Sequence, residues 1–284
     1  MWLSGTIGRL TGRGKKVRAA AAAISAPKAW RFLHDPDLTT SLEVLRDLAR
    51  PHFGGSRPVA DALERLVVEV ESPRDEDVDI GRVTALTASK GRYIGNLRRL
   101  LPTISDPGPR VAALSLDEQY AMVHSDVMRE SGCVSKGRFR LIEEGWSGRL
   151  IAPNSGAARR FAWLHRNRYL RPTILPARIE TRMLDASALG VLTREFQLEI
   201  IPSEAARGLL GSMRNLDVGE LELVRELWSP ACPDDVNRDM WSVLAYPRAG
   251  RYYEDIRLGL ADAAAPVFDF SRWLMMIAAG RETP

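Results

Sequence analysis

The residues best equipped for chemistry lie in the stretch "NSGAARRFAWLHRNRYL", residues 154–170. A polar turn, Asn154-Ser155-Gly156, runs into an apolar-periodic segment, which is the pattern of a capped helix. The first turn of that helix carries two adjacent arginines, Arg159 and Arg160. A helix start already bears about half a positive charge, so each cation there costs about 0.3–1 kcal/mol. The same position suits a phosphate, because the first backbone amides lack helical partners and arginine adds a bidentate clamp. Asn154, Ser155, Gly156, Arg159 and Arg160 are therefore the candidate anion- or nucleotide-binding residues, and a bound anion would offset the unfavourable charge. Arg149, Arg166, Arg168 and Arg171 extend the basic segment as candidate nucleic-acid contacts. A purely structural reading stands beside these. Asn154 and Ser155 then serve only as caps, and Phe161, Ala162, His165 and Tyr169 face inward at helical spacing.

Other chemistries find little support. Cys133 and Cys232 are far apart, and the four histidines form no metal-binding pair spacing, so no disulfide framework or metal site is expected. "GRLTGRGKK" fails the phosphate-loop pattern, which would need glycine at Arg9 and a hydroxyl at Lys16. The acidic run "ESPRDEDVD" lacks the glycine and distal glutamate of a calcium loop and reads as a solvated loop. Glu143 and Glu144 at a hairpin turn could supply a general base, or simply be solvated, and Trp146 reads as hairpin packing. With no triad and no catalytic carboxylate frame, binding or regulation is expected rather than catalysis. No cofactor is specified beyond a nucleotide accompanied by magnesium.

Charge is sharply partitioned. Residues 1–34 hold seven Arg or Lys and no acid, and residues 145–179 hold seven arginines and no acid. These stretches contribute +14 while the rest of the chain sums to −10, inside a net charge of +4. Such asymmetry points to an anionic partner: a nucleotide or other phosphate ligand, or a nucleic acid along 145–179 and the basic N-terminal arm. A protein partner, bound without catalysis, is the third expectation. Arginine outnumbers lysine 35 to 5, which fits a GC-rich bacterial or phage genome. No apolar run reaches the roughly 18–20 residues of a membrane span, so no integral membrane association and a cytoplasmic location are expected.

The elements that must position these residues follow from periodicity and breakers. Residues 1–28 read as a basic, partly flexible arm. Residues 29–108 read as mainly helical, with helices at 39–48 and 59–70 and a basic surface helix in "SKGRYIGNLRRLLPTI". "SDPGP" at 105–109 is the expected domain boundary. From 109 to 202 the pattern is α/β. A helix opens with a Ser115/Glu118 capping box, and "GRFRLIEEGWSGRLIAP" forms a hairpin. The arginine-bearing helix follows, then the extended "PTILPARIETRML", a short helix over 187–195 and the strand "FQLEIIP". Residues 203–284 read as mainly helical, ending in a Trp/Met-rich helix at 271–279.

The order of these blocks over residues 116–181 resembles the ParB/sulfiredoxin-like domain: a helix ending in "SG", a hairpin, a glycine-arginine box and an "IPA"-like strand. The string carrying the resemblance is "SGAARRFAW". Gly156 falls on the first glycine of the box, Arg160 on its arginine, and Phe161-Ala162 on the following Tyr-Ala. A bacterial or phage family with a fuller "NSGGSHRFA"-like box is similar too. The resemblance implies an α+β fold, a small mixed sheet with helices, flanked by the mainly helical N- and C-terminal regions, and a phosphate site at the box. Ala157 replaces the second glycine and Ala158 the sulfiredoxin cysteine. Without that thiolate, sulfinyl-phosphate chemistry is not implied. No helix-turn-helix follows, so chromosome partition is not implied either.

Overall fold

A computed structural model describes residues 12–25, 50–51, 57–70, 72–87, 94–96, 114–130, 134–135, 137–152, 158–228, 240–265 and 267–280. The chain is α+β. It divides into two compact units, one formed by Met1–Val67 with Leu184–Pro284 and the other by Val68–Met183. The expected helix at 39–48 and the boundary at 105–109 lie outside the described residues.

The 68–183 unit is built on a mixed sheet. Its strands are β2 (Val67–Glu69), β3 (Arg74–Asp79), β4 (Val83–Thr87), β5 (Ile94–Asn96), β6 (Val134–Ser135), β7 (Arg138–Glu144), β8 (Arg149–Ala152) and β9 (Ile174–Leu184). The order is β2-β9-β7-β8-β4-β5, with β3 also on β9 and β6 on β7. β7 and β8 form the expected hairpin, closed by a turn in which Gly148 takes φ +68, a region that favours glycine. β9 runs parallel to β7, and β4 runs parallel to β8. Helix α3 (Leu116–Glu130) and helix α4 (Ala158–Arg166) cover one face. Their Tyr120, Val123, Val127, Phe161 and Leu164 pack with Phe139, Leu141, Leu150, Leu175 and Ile179 of the strands. The start of α3 is a reciprocal cap. Ser115 N donates to Glu118 Oε2 at 2.9 Å, and Glu118 N donates to Ser115 Oγ at 3.4 Å.

Between residues 57 and 96 the structure departs from the expected elements. The acidic run is strand β3, not a loop, because β9 offers it a basic partner: Asp75 lies opposite Arg178 in register. The helix expected at 59–70 is α2 (Arg57–Arg65), and the valine-rich residues after it turn into β2. In the expected surface helix after residue 88, the described part is strand β5. The region 29–108 is thus not mainly helical among its described residues.

The other unit holds the antiparallel sheet β1-β11-β12-β10-β13, from β1 (Arg50–Pro51), β10 (Phe196–Pro202), β11 (Glu222–Trp228), β12 (Met240–Pro247) and β13 (Phe268–Asp269). Helices α1 (Gly12–Ala22), α6 (Ser203–Asn215) and α7 (Tyr253–Ala261) share a core with it through Val17, Leu209, Ile256, Ile201 and Leu244. α5 (Ala186–Gly190) continues through a π-turn at 191–195 into β10, and α8 (Phe270–Ala278) closes the chain. Ser271 joins these parts: its hydroxyl accepts from Leu198 N at 2.9 Å and donates to Leu192 O at 2.6 Å.

Two corrections apply here. Residues 12–22 are not a free arm. Val17 and Ala21 are fully buried, and a methyl on Gly259 would lie 2.5 Å from Ala21 Cβ, so α1 and α7 approach as closely as alanine and glycine allow. Among the described residues of 203–284, helices α6, α7 and α8 predominate, and strands β11 and β12, which pair along most of their length, are added to them. "FQLEIIP" is a strand as expected, but it belongs with this unit rather than with the preceding α/β segment.

Candidate functional site

Helix α4 begins a few residues beyond the C-terminal end of β8. Since β4 and β8 are parallel, with Leu86 opposite Ala152, their C-terminal ends lie at one edge of the sheet. Open α/β sheets bind ligands outside such ends. Arg160 stands in the first turn of α4, and its Nε lies 3.2 Å from Asp126 Oδ2 on α3. This pair answers the electrostatic question posed by the sequence. The carboxylate of the neighbouring helix balances the cation at a helix start, where it would otherwise be unfavourable. Asp126 also holds Arg129 at 2.9 Å. Arg159 is part of α4 by its backbone, while Asn154, Ser155 and Gly156 lie outside the described residues.

The proposed nucleic-acid contacts sit elsewhere. Arg166 ends α4, Arg168 and Arg171 follow it, and Arg149 opens β8 opposite Glu144. A nine-residue helix is about 13 Å long, so Arg160 and Arg168 mark opposite ends of one rod. They do not form a single site. The acid-free segment is also not free of acids in space. Arg160 meets Asp126, Arg171 meets Asp117 at 2.8 Å, and Arg178 meets Asp75 at 3.8 Å. Sequence reasoning missed these carboxylates. The available signal was Asp126 itself, three residues after the buried Val123 and next to Val127, on the border of the apolar stripe of α3.

His165 is 6% exposed, in keeping with the inward face of α4. Its Nε2 donates to Val83 O at 3.1 Å, since a carbonyl can only accept. Its Nδ1 lies 3.2 Å from Arg168 Nη1, which can only donate. Both contacts require the neutral Nε2–H ring. Burial, with the nearby Arg168 charge, lowers its pKa to about 4. Tyr169, expected inward, is instead 81% exposed, because α4 stops at Arg166. Asn167 ends the helix: its N–H and its Nδ2 both donate to Trp163 O, at 3.1 and 2.8 Å.

The hairpin glutamates are not solvated. Glu143 accepts from both terminal nitrogens of Arg74, at 2.7 and 2.8 Å, which holds its carboxyl below the usual range. Glu144 is fully buried and lies across the β7–β9 pair from buried Arg182. Neither is placed as a general base. Among the described residues no group of three or more His, Cys, Asp or Glu could hold a metal ion, and no helix is long and apolar enough to cross a membrane.

In the other unit, a polar cluster gave no signal beyond the alternation of "FQLEIIP". Gln197 and Glu199 share a face of β10. Gln197 lies opposite Tyr246 and Glu199 opposite Asp269. Glu199 Oε1 accepts from Gln197 Nε2 at 2.9 Å and from Tyr246 OH at 3.3 Å, while Oε2 has no partner. Burial, then the Asp269 charge, pushes its pKa up to about 8.

Compared with protein-family models, with curated proteins and with solved structures, the chain matches none.

Proposed function

We infer that the 68–183 unit is a phosphate- or nucleotide-binding module of ParB/sulfiredoxin-like build, which binds its ligand without transforming it. The observation that carries this reading is Arg160, fixed in the first turn of α4 by Asp126 beside the edge where parallel β4 and β8 end. An arginine already oriented by a carboxylate loses less side-chain entropy when a phosphate docks. The order of α3, the β7–β8 hairpin, α4 and β9 follows the order that the resemblance implies. The binding emphasis rests on chemistry. Ala158 offers no nucleophile where sulfiredoxins carry cysteine, and of the two candidate bases Glu143 is occupied by Arg74 and Glu144 is fully buried. Magnesium would arrive with a nucleotide, held chiefly by its phosphates.

Calorimetry with CTP, ATP and GTP in the presence of magnesium tests the reading. Wild-type protein should bind at least one of them, and Arg160→Ala should weaken that binding about tenfold or more, the loss of a charge-assisted bidentate contact. No heat from any of the three, or equal affinity in the variant, would refute it.

A further inference from the structure

We propose that the turn after α4 is a single-stranded nucleic-acid platform, with Tyr169 as the stacking surface and Arg168 and Arg171 as the phosphate contacts. It lies at the end of α4 away from Arg160 and stands independently of the nucleotide reading.

The backbone here is built rather than loose. Asn167 O accepts from the Tyr120 hydroxyl, from Leu170 N at 2.9 Å and from Arg171 N at 3.3 Å. Arg168 Nη1 donates to His165 O at 2.6 Å, and Arg171 is bound to Asp117 on α3. A turn pinned this firmly still exposes two large side chains, Tyr169 at 81% and Leu170 at 67%. Neither supports the core, and a surface turn needs neither. Exposed aromatic surface held on a fixed scaffold is available to a partner at little further ordering cost.

The surrounding charge selects the partner. The Arg168 guanidinium lies 4.1 Å from the Tyr169 ring centroid and also donates to its hydroxyl, so one face of the ring is backed by a cation and the ring is held in place. A nucleobase on the other face would extend that stack. Among the described residues no carboxylate pairs with Arg168, and Arg171 pairs with Asp117, itself 89% exposed at its side chain. An exposed pair of that kind stores little energy and is readily exchanged for a phosphate. A membrane wedge would call for several apolar side chains at one tip, and here there are two. Duplex DNA would bury the bases that the ring needs, whereas single strands offer them.

The test is fluorescence anisotropy of the full chain with a labelled short oligothymidylate at low salt. Wild-type protein should bind, with affinity falling as salt rises. Tyr169→Ala and Tyr169→Leu should each weaken binding about tenfold without changing the salt dependence, and Tyr169→Phe should keep most of it. Arg168→Gln should make the slope of log K against log salt shallower by about one. Tyr169→Leu keeps an apolar side chain, so retained binding in that variant would mean apolar docking and overturn the proposal. So would wild-type affinity in Tyr169→Ala, no binding by wild type, or capture by phosphatidylcholine–phosphatidylserine vesicles without oligonucleotide binding.

Discussion

In the 68–183 unit, charge taken out of water is met by opposite charge. Arg182 is 5% exposed and lies 2.8 Å from Glu69, Arg160 rests on Asp126, and Arg74 holds Glu143 from two nitrogens. In the other unit, Glu199 is 4% exposed and is met by neutral donors, Gln197 and Tyr246, with a second acid, Asp269, opposite it in register. Stripping a carboxylate of water without a counter-ion costs several kcal/mol. Keeping its proton at pH 7 against an ordinary value of 4.5 costs only about 3 kcal/mol, so protonation wins. For its carboxylates one chain therefore uses two devices, pairing and neutralisation, and they respond to pH with opposite signs; His165, a base kept neutral by burial, responds in the same direction as the paired acids.

The largest effect should come from Glu199. Its ordinary value is 4.5 and its folded value about 8. Between these the unfolded chain has released the proton and the folded unit still holds it, so stability falls as pH rises across the window and is flat above it. The full loss is on the order of 5 kcal/mol. Glu199→Gln keeps the shape and cannot ionise. It should remove the slope and leave this unit more stable than wild type above pH 8. Urea unfolding across pH, with hydrogen exchange resolved by unit, measures it. An unchanged slope in the variant would break the comparison.

His165 should produce the next effect, in the other unit and with the other sign. Its ordinary value is 6.5 and its folded value about 4. As pH falls through that window the unfolded chain takes up a proton and the folded unit does not, so stability is lost toward acid, by about 3 kcal/mol at most. Glu143 and Glu180, both lowered by their arginines, add further loss as pH drops below 4.5 toward their folded values. His165→Gln can still donate to Val83 O and should flatten the dependence between pH 6.5 and 4. With exchange rates corrected for the intrinsic pH dependence of amide exchange, the two units should then be least stable at opposite ends of the pH range in wild type. Parallel pH profiles would remove the distinction drawn between them.

The same contrast explains what the sequence made legible. Contacts close along the chain were readable: the Ser115/Glu118 cap, the β7–β8 hairpin, α4, β9 and β10 all follow from local pattern. Contacts distant along the chain were not. "RDEDVD" looks like a solvated loop until β9 supplies Arg178 a hundred residues later. Residues 145–179 look like an unbalanced cation until Asp75, Asp117 and Asp126 arrive from other elements. The arm at 12–22 has no strong apolar face, and it is buried because Gly259 lets α7 come close. "ELVRELW" carries a helix-compatible pattern and becomes β11 because β12 pairs with it through a register shift between Leu223 and Arg225. In the candidate site, Arg160 was identified by its place in a string, whereas its partner required the fold.

Asp126→Asn probes pairing at the start of α4. It removes the carboxylate that balances Arg160 and Arg129 while keeping the side-chain volume. The unit should lose about 1 kcal/mol, the sum of a half-buried pair and an uncompensated cation at a helix start. Exchange should rise in α3 and α4 and stay unchanged in the Glu199 unit. If Arg160 is a phosphate clamp aimed by Asp126, the same variant should bind nucleotide more weakly, because the arginine is no longer oriented in advance. Lower stability together with tighter binding would instead mean that Asp126 competes with the ligand for the arginine.

The smallest effect belongs to the most exposed pair. Arg171 and Asp117 have side-chain exposures of 53% and 89%, so water screens them and little stability is stored there. Asp117→Asn should cost about 0.5 kcal/mol or less, and that cost should vanish in high salt. Asp117 also lies in the first turn of α3, where an acid is favourable, so part of the loss comes from the helix rather than the pair. Arg171→Gln separates the two: it removes the pair and leaves the acid at the helix start. If both variants cost the same, the pair carries the effect. If only Asp117→Asn costs anything, the helix start does, and Arg171 is held near Asp117 at no energetic advantage to the fold. That second outcome would place Arg171 among groups kept for something outside the unit, which pairing as a folding device does not explain.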